Sequence, residues 1–316
     1  MAAALPRIGI ALGDPAGVGP EIALKAALDE RVRRVSRPVL FGDPGVLQTH
    51  ASLCRIAWDR DAVPLVALEH FREERLAIGE VRAAHGRAAL DAARRAIEAA
   101  LKGELEAVVA APQTELAIKQ AGFEFDGYPT FVARCAGVAP EDAFLMLCFD
   151  ATRIVHVTLH VSLRRAIELV TPERLARVLR ATHGTLRRLG LEKPRIAVGG
   201  LNPHASESGM FGDEEAAIIA PAIAGAQREG IAAEGPYGAD TMFHRQGYDA
   251  FVVMFHDQGH IAAKLQARNR TAGLTIGTPV LFSSVAHGSG LDIAGKGLAS
   301  AEAMVEAIAR LAAARG

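Results

Sequence analysis

Short apolar runs alternate along this chain with longer stretches in which Ala, Leu and Arg recur at helical spacing. Apolar runs of about four to eight residues between turn signals read as strands, and apolar positions recurring at helical spacing read as amphipathic helices. The pattern predicts strands at 8–12, 39–41, 107–110, 143–147, 153–159, 195–198 and 250–253. It predicts helices at 20–28, 85–102, 172–189, 213–229 and 301–313. Thr171-Pro172 reads as an N-cap followed by proline at the first helical position, and Gly190 closes that helix. Strand and helix alternating in this order predict an α/β fold around a mostly parallel sheet.

At 316 residues the chain is long enough for two domains, and no repeat, low-complexity segment or long linker interrupts it. Half of its residues are hydrophobic and 22% are charged, a globular balance. A net charge of -1 supplies no field for nucleic acid or an anionic membrane. The cysteines, Cys54, Cys135 and Cys148, are odd in number and lack C-x-x-C spacing, which argues against a disulfide framework and suits a reducing compartment. Arg7 and Asp14 interrupt the apolar start, and no run reaches the roughly 18 residues of a membrane span, so the chain reads as soluble and cytoplasmic.

Four segments carry candidate chemistry. In residues 9–27 a strand runs into Gly13-Asp14-Pro15-Ala16-Gly17-Val18-Gly19 and a helix opens at Pro20-Glu21. Such a helix start offers unpaired amides to an anion, although a tight strand-to-helix turn explains the spacing equally well. His160, His204 and His256 each follow or end an apolar run, where α/β folds place ligand residues and where imidazole suits a divalent ion. A satisfied structural histidine is the simpler account of any one of them. His156 and His160 lie about 13 Å apart on an undistorted strand, too far to share an ion. Lys264, eight residues beyond His256, has Asp257 and Asp240 as sequence neighbours. It fits a substrate carboxylate, a proton relay or an ordinary exposed lysine. Glycines and polar residues interleave at 287–300, as in a loop whose backbone approaches a ligand or in a plain structural loop.

Taken together, "GDPAGVGPE", "GLNPHASESGMFGDEE", "GADT", "HDQG" and "SSVAHGSGLDIAGKG" resemble, in order, the 4-hydroxythreonine-4-phosphate dehydrogenase family. The resemblance implies an isocitrate/isopropylmalate dehydrogenase-like fold: two α/β domains with mostly parallel sheets and a cleft between domains. The first domain would comprise 1–125 plus 271–316 with the cofactor loop, and the second 126–270 with the metal and dimer contacts. It further implies a homodimer whose active site is shared across subunits. One divalent ion (zinc, or iron, cobalt or manganese) would be held by His160 and His204 of one subunit and His256 of the other. Lys264, Asp240 and Asp257 would be the catalytic groups, and NAD would lie near His287, Gly288, Asp292 and Gly295.

The chain departs from the phosphate-handling pattern in three places. A His-Thr pair is replaced by Tyr128-Pro129-Thr130, a usual asparagine by Gly273, and a usual arginine by Phe282. Phenylalanine cannot replace a bidentate cation for a phosphate dianion. The segments "FDGYPTFVARCAGV" and "HDQGHIAAKL" resemble instead the terephthalate dihydrodiol dehydrogenase branch, with Tyr128, Thr130 and Phe282 expected in the substrate site. The expected reaction is oxidative decarboxylation of a carboxylated cis-dihydrodiol to protocatechuate, CO2 and NADH. The alternatives are the phosphorylated hydroxythreonine or a related sugar-acid phosphate, with Arg268 or Arg270 supplying the cation, or a silent anion- or metal-binding relative.

Overall fold

A computed structural model describes residues 4–71, 75–267 and 271–314. The first half runs β1 (Arg7–Ala11), α1 (Gly19–Leu28), α2 (Glu30–Val35), β2 (Arg37–Gly42), α3 (Pro44–Leu53), β3 (Leu65–Ala67), α4 (Ala83–Leu101), β4 (Ala107–Ala110), α5 (Glu115–Gln120) and α6 (Tyr128–Ala136). Next come β5 (Phe144–Phe149), β6 (Thr152–His156), α7 (Leu163–Leu169), α8 (Pro172–Arg188), β7 (Arg195–Gly199), α9 (Ala220–Arg228) and β8 (Ala232–Tyr237). The chain ends with β9 (Ala250–Val253), α10 (His256–Ala267), β10 (Ala272–Ile276), β11 (Phe282–Val285) and α11 (Glu302–Ala312).

Two compact units result: unit 1 is Met1–Gly137 with Pro279–Ala314, and unit 2 is Val138–Thr278. Both crossings fall later than the expected 125 and 270. The first is displaced because α6 belongs to the core of unit 1, where Tyr128 and Val132 pack with Phe41, Ile97 and Phe282. The second is displaced because β10 pairs antiparallel with β5, Leu274 opposite Met146, inside unit 2.

In unit 1 the strands lie in the order β3-β2-β1-β4-β11, all four neighbouring pairs parallel. Ile8, Ile10, Val108 and Val109 have no exposed surface. Strands covered on both faces read as continuous apolar runs, which is why the sequence revealed them. In unit 2 the order is β10-β5-β6-β9-β7-β8, with an antiparallel β10-β5-β6 portion and a parallel remainder. Its core gathers Leu147, Ile154, Ala197, Phe251 and Val253.

Several elements escaped the pattern. β8, with the sequence AAEGPY, carries the Gly and Pro that mark a turn, and it survives as the last strand of the order, where fewer ladder bonds are required. The helix expected over 213–229 opens as a wide π-helical turn at Glu215–Ile219 before α9 begins. The strand expected over 153–159 ends at His156.

Candidate active site

Unit 2 presents three loops from neighbouring parallel strands. β6 and β9 run side by side, His156 opposite Val253, so the chain leaves both at the same end. Beyond His156, the Thr158 hydroxyl donates to the Met254 carbonyl at 2.8 Å, and the chain then turns, Val161 N–H reaching Leu159 O at 3.0 Å. This turn brings the His160 ring to 5.8 Å from that of His256, between centroids. β9 is buried throughout and leads directly into α10, whose first residue is His256.

The third loop follows β7 and carries His204. Buried Glu215 holds it: Oε1 accepts the Leu201 and Asn202 amides at 2.8 and 2.7 Å, and Oε2 accepts Asn202 Nδ2 at 2.9 Å. Within the loop His204, Ala205, Ser206, Glu207 and Ser208 all have φ between 46° and 72°. Left-handed backbone costs about 1–2 kcal/mol per non-glycine residue, and such strain concentrates at functional sites. The Ser206 hydroxyl donates to the Gly212 carbonyl and accepts the Gly209 amide at 2.9 Å, closing the turn. Gln258 ties this loop to α10, its Oε1 accepting Met254 N–H at 2.8 Å and its Nε2 donating to Gly200 O at 3.1 Å. Asp240 flanks the same loop: a Cβ on Gly238 would fall 2.7 Å from Asp240 Oδ1 and 3.5 Å from His204 Cα.

Helical spacing from His256 places His260 and Lys264 along one side of α10. The rings of His256 and His260 stack at 3.7 Å with a 7° interplanar angle. His260 Nδ1 lies 3.1 Å from His156 Nε2. Gly259 permits this approach, because a Cβ there would fall 2.3 Å from His156 Nε2. Burial pushes His156 down to about 3, and burial with the neighbouring His256 pushes His260 down to about 4, so both rings are neutral near pH 7. Lys264 is exposed.

Among the described residues of one chain, no three His, Cys, Asp or Glu side chains converge closely enough to hold a metal ion. The donor chemistry fits a divalent ion nonetheless. His256 Nδ1 pairs with Asp257 Oδ1 at 2.8 Å and His204 Nδ1 with Glu207 Oε2 at 3.2 Å. A carboxylate on Nδ1 leaves Nε2 available as ligand, the arrangement typical of metal-binding histidines.

Unit 1 brings the two glycine-rich segments together. Asp14, 1% exposed, accepts the Ala16 amide at 2.9 Å and the Thr114 hydroxyl, and Thr114 lies 2.9 Å from the Ser289 hydroxyl. Val18 N–H donates to Ser289 O at 2.7 Å, and a Cβ on Gly17 would fall 2.4 Å from that oxygen. Glu21 and Lys25 anchor the far end of the 287–300 loop: Glu21 Oε1 accepts Ala299 N–H at 3.0 Å, and Lys25 donates to Gly297 O and Ala299 O. Along that loop His287 Nδ1 lies 3.1 Å from Gly288 O, Gly288 and Asp292 are exposed, and Gly295 packs toward Leu53.

The expected substrate residues have a different setting. Phe282 has no exposed surface; its ring lies 4.7 Å from Tyr128, which Phe125 and Phe131 also enclose. It is therefore a core side chain of unit 1 rather than one face of a substrate pocket, because β11 turns it inward. The Tyr128 hydroxyl is buried without a partner, and burial pushes its pKa up. Thr130 donates to the Asp126 carboxylate and the Gly127 carbonyl at the start of α6. Gly273 lies inside β10, while Arg268 and Arg270 lie outside the described residues.

Sequence reasoning missed Glu215, Gln258, His260, Thr114 and Ser289. His260 carried a legible signal, its i+4 spacing from His256, once 256–267 is known to be a helix. Buried Glu215 carried none.

Mostly parallel strands with loops assembled at their ends define an α/β protein, and a β-decarboxylating dehydrogenase from Thermococcus kodakarensis shares the fold at 15% identity and a TM-score of 0.50, covering 96% of this chain and 82% of its own. The chain belongs to the PdxA family, described as pyridoxal phosphate biosynthetic protein PdxA, whose profile matches residues 34–311. It is 41% identical over 314 residues to a 1,2-dihydroxy-3,5-cyclohexadiene-1,4-dicarboxylate dehydrogenase from Comamonas sp., covering 98% of each chain. A terephthalate 1,2-cis-dihydrodiol dehydrogenase from Burkholderia xenovorans superposes with a TM-score of 0.74 at 38% identity, covering 98% of each. A 4-hydroxythreonine-4-phosphate dehydrogenase from Klebsiella pneumoniae superposes with a TM-score of 0.87 at 32% identity, covering 100% of each. Among the described residues no helix is long and apolar enough to cross a membrane.

Proposed function

We propose that the chain is an NAD- and divalent-metal-dependent dehydrogenase of a carboxylated cyclic cis-dihydrodiol, releasing CO2 and an aromatic product. The observation that carries this reading is the Tyr128–Phe282 contact: the two positions where the phosphate pattern has polar or cationic side chains fill one another with aromatic surface. Neither position then offers a charge to a phosphate dianion.

Unit 1 would supply the cofactor loops: His287, Gly288, Asp292 and Gly295 would hold NAD, whose chemistry is hydride acceptance. In unit 2, His160 and His204 of one copy and His256 of a second would hold the divalent ion, zinc foremost, which stabilises negative charge on substrate oxygens. Asp257 orients His256, the Lys264 ammonium holds a substrate carboxylate, and Asp240 takes the hydroxyl proton. The carbinol hydrogen leaves with its electron pair, the hydroxyl proton goes to the base, and the bond to the neighbouring carboxylate breaks. The pair from that bond returns the ring to aromaticity. The base returns its proton to the ring oxygen, so the dicarboxylate of terephthalate cis-dihydrodiol and NAD+ would give protocatechuate, CO2 and NADH. Exposed apolar side chains close in sequence to the histidines support a homodimer: Leu163, three residues after His160, is 58% exposed and Leu265 on α10 is 78% exposed.

The test is NADH formation with added divalent ion, comparing terephthalate cis-dihydrodiol with 4-hydroxythreonine 4-phosphate. Turnover of the diol with protocatechuate as product supports the reading. Turnover of the phosphate alone overturns it, and would follow the closer superposition on the phosphate enzyme.

A further inference from the structure

Resting on that reading of His256, we propose that His260, backed by His156, is a positioning residue that fixes the His256 ring for metal binding. His256 is the first residue of α10, and among the described residues its side chain is hydrogen-bonded only to Asp257, a carboxylate 71% exposed and open to exchange with water. What confines the plane of the ring is the parallel His260 imidazole at 3.7 Å.

His260 is itself held. Its Nδ1 lies 3.1 Å from His156 Nε2 and 3.3 Å from the His256 carbonyl. A carbonyl only accepts, so Nδ1 of His260 carries the proton, shared between that carbonyl and the His156 lone pair. His156 is 1% exposed at the end of β6, and its ring lies against that of His260 at 4.7 Å. The chain of contacts therefore runs from the buried sheet through two imidazoles to the candidate ligand. A side chain at Gly259 would fall into this contact, 2.3 Å from His156 Nε2, and glycine has none.

The measurement is Co2+ affinity and visible absorption of the full-length protein, with the metal-free His256 ring followed by imidazole nitrogen NMR. For His260→Ala, affinity falls about ten- to a hundredfold, as for other residues behind a ligand, and the His256 ring loses its single orientation. His260→Phe keeps the stack and restores most of the affinity, whereas His260→Gln does not. Affinity within twofold of wild type in His260→Ala, when His256→Ala has abolished binding, overturns the proposal and leaves the metal reading standing. Loss in His260→Ala and His260→Phe as complete as in His256→Ala, with one nitrogen fewer in the Co2+ spectrum, makes His260 a ligand and overturns it too. Unchanged binding in His256→Ala overturns the metal reading and this proposal with it.

Discussion

In unit 1 the loops after β1, β4 and β11 satisfy one another: Asp14, Thr114 and Ser289 form a chain of hydrogen bonds, and Glu21 with Lys25 pins the rest. In unit 2 the loops after β6, β7 and β9 are held firmly from behind, by Glu215, Gln258 and His156, yet present imidazoles that no third ligand among the described residues completes. One half is finished internally, and the other is prepared for partners from outside. Under the proposed function, that contrast would separate a preorganised cofactor platform from a ligand set open to a second copy.

The largest effect should come from unit 2. His256→Ala is expected to reduce metal-dependent NADH formation about a thousandfold, or ~4 kcal/mol. Mixing His160→Ala with His256→Ala chains after joint refolding should then restore about a quarter of wild-type turnover, since half of the dimers are mixed and each holds one intact site. No recovery on mixing would place all three ligands in one chain.

Next comes the aromatic contact. Phe282→Arg buries an unpaired cation and should destabilise unit 1 by on the order of 4 kcal/mol in urea unfolding. Adding Tyr128→His should aggravate that loss, unless the site accepts phosphate, in which case added inorganic phosphate raises the midpoint of the double variant. In unit 1 proper, Asp14→Ala should cost about 2 kcal/mol with or without divalent ion, because its partners are all internal. A cost that vanishes with added metal would break the contrast between the units.

The smallest effect is a pH dependence. His50, fully buried with Nε2 2.9 Å from Pro15 O, has its pKa lowered by burial. Its folded value lies below the unfolded ~6.5, so the stability it permits is complete above about 6.5 and is lost as pH falls toward the folded value. His50→Phe should therefore show a smaller fall in melting temperature between pH 7.5 and about 5.5 than the wild type.

The buried parallel strands of both units were legible because continuous apolar runs leave few alternatives, as at 107–110 and 250–253. Strands such as β8, held by position rather than composition, were not. The histidines stood out in the sequence through spacing and resemblance, and within one chain the His160 and His256 rings lie 5.8 Å apart. Their supports were not, because a buried Glu215 among Asp213 and Glu214 looks like one more surface acid. Phe282 was noticed for the charge it lacks, but its facing depends on β11, which the pattern did not reveal.

The segment from His204 to Ser208 is, in backbone terms, a short piece of mirror-image polypeptide. D-residues would follow it without steric penalty, and so would glycine. A semisynthetic chain with D-alanine at position 205 should therefore melt higher than the natural one while leaving the imidazole at 204 where it is. The handedness of five residues thus separates two properties that ordinary substitution at this loop would change together: how stable the fold is, and where the His204 ring is held.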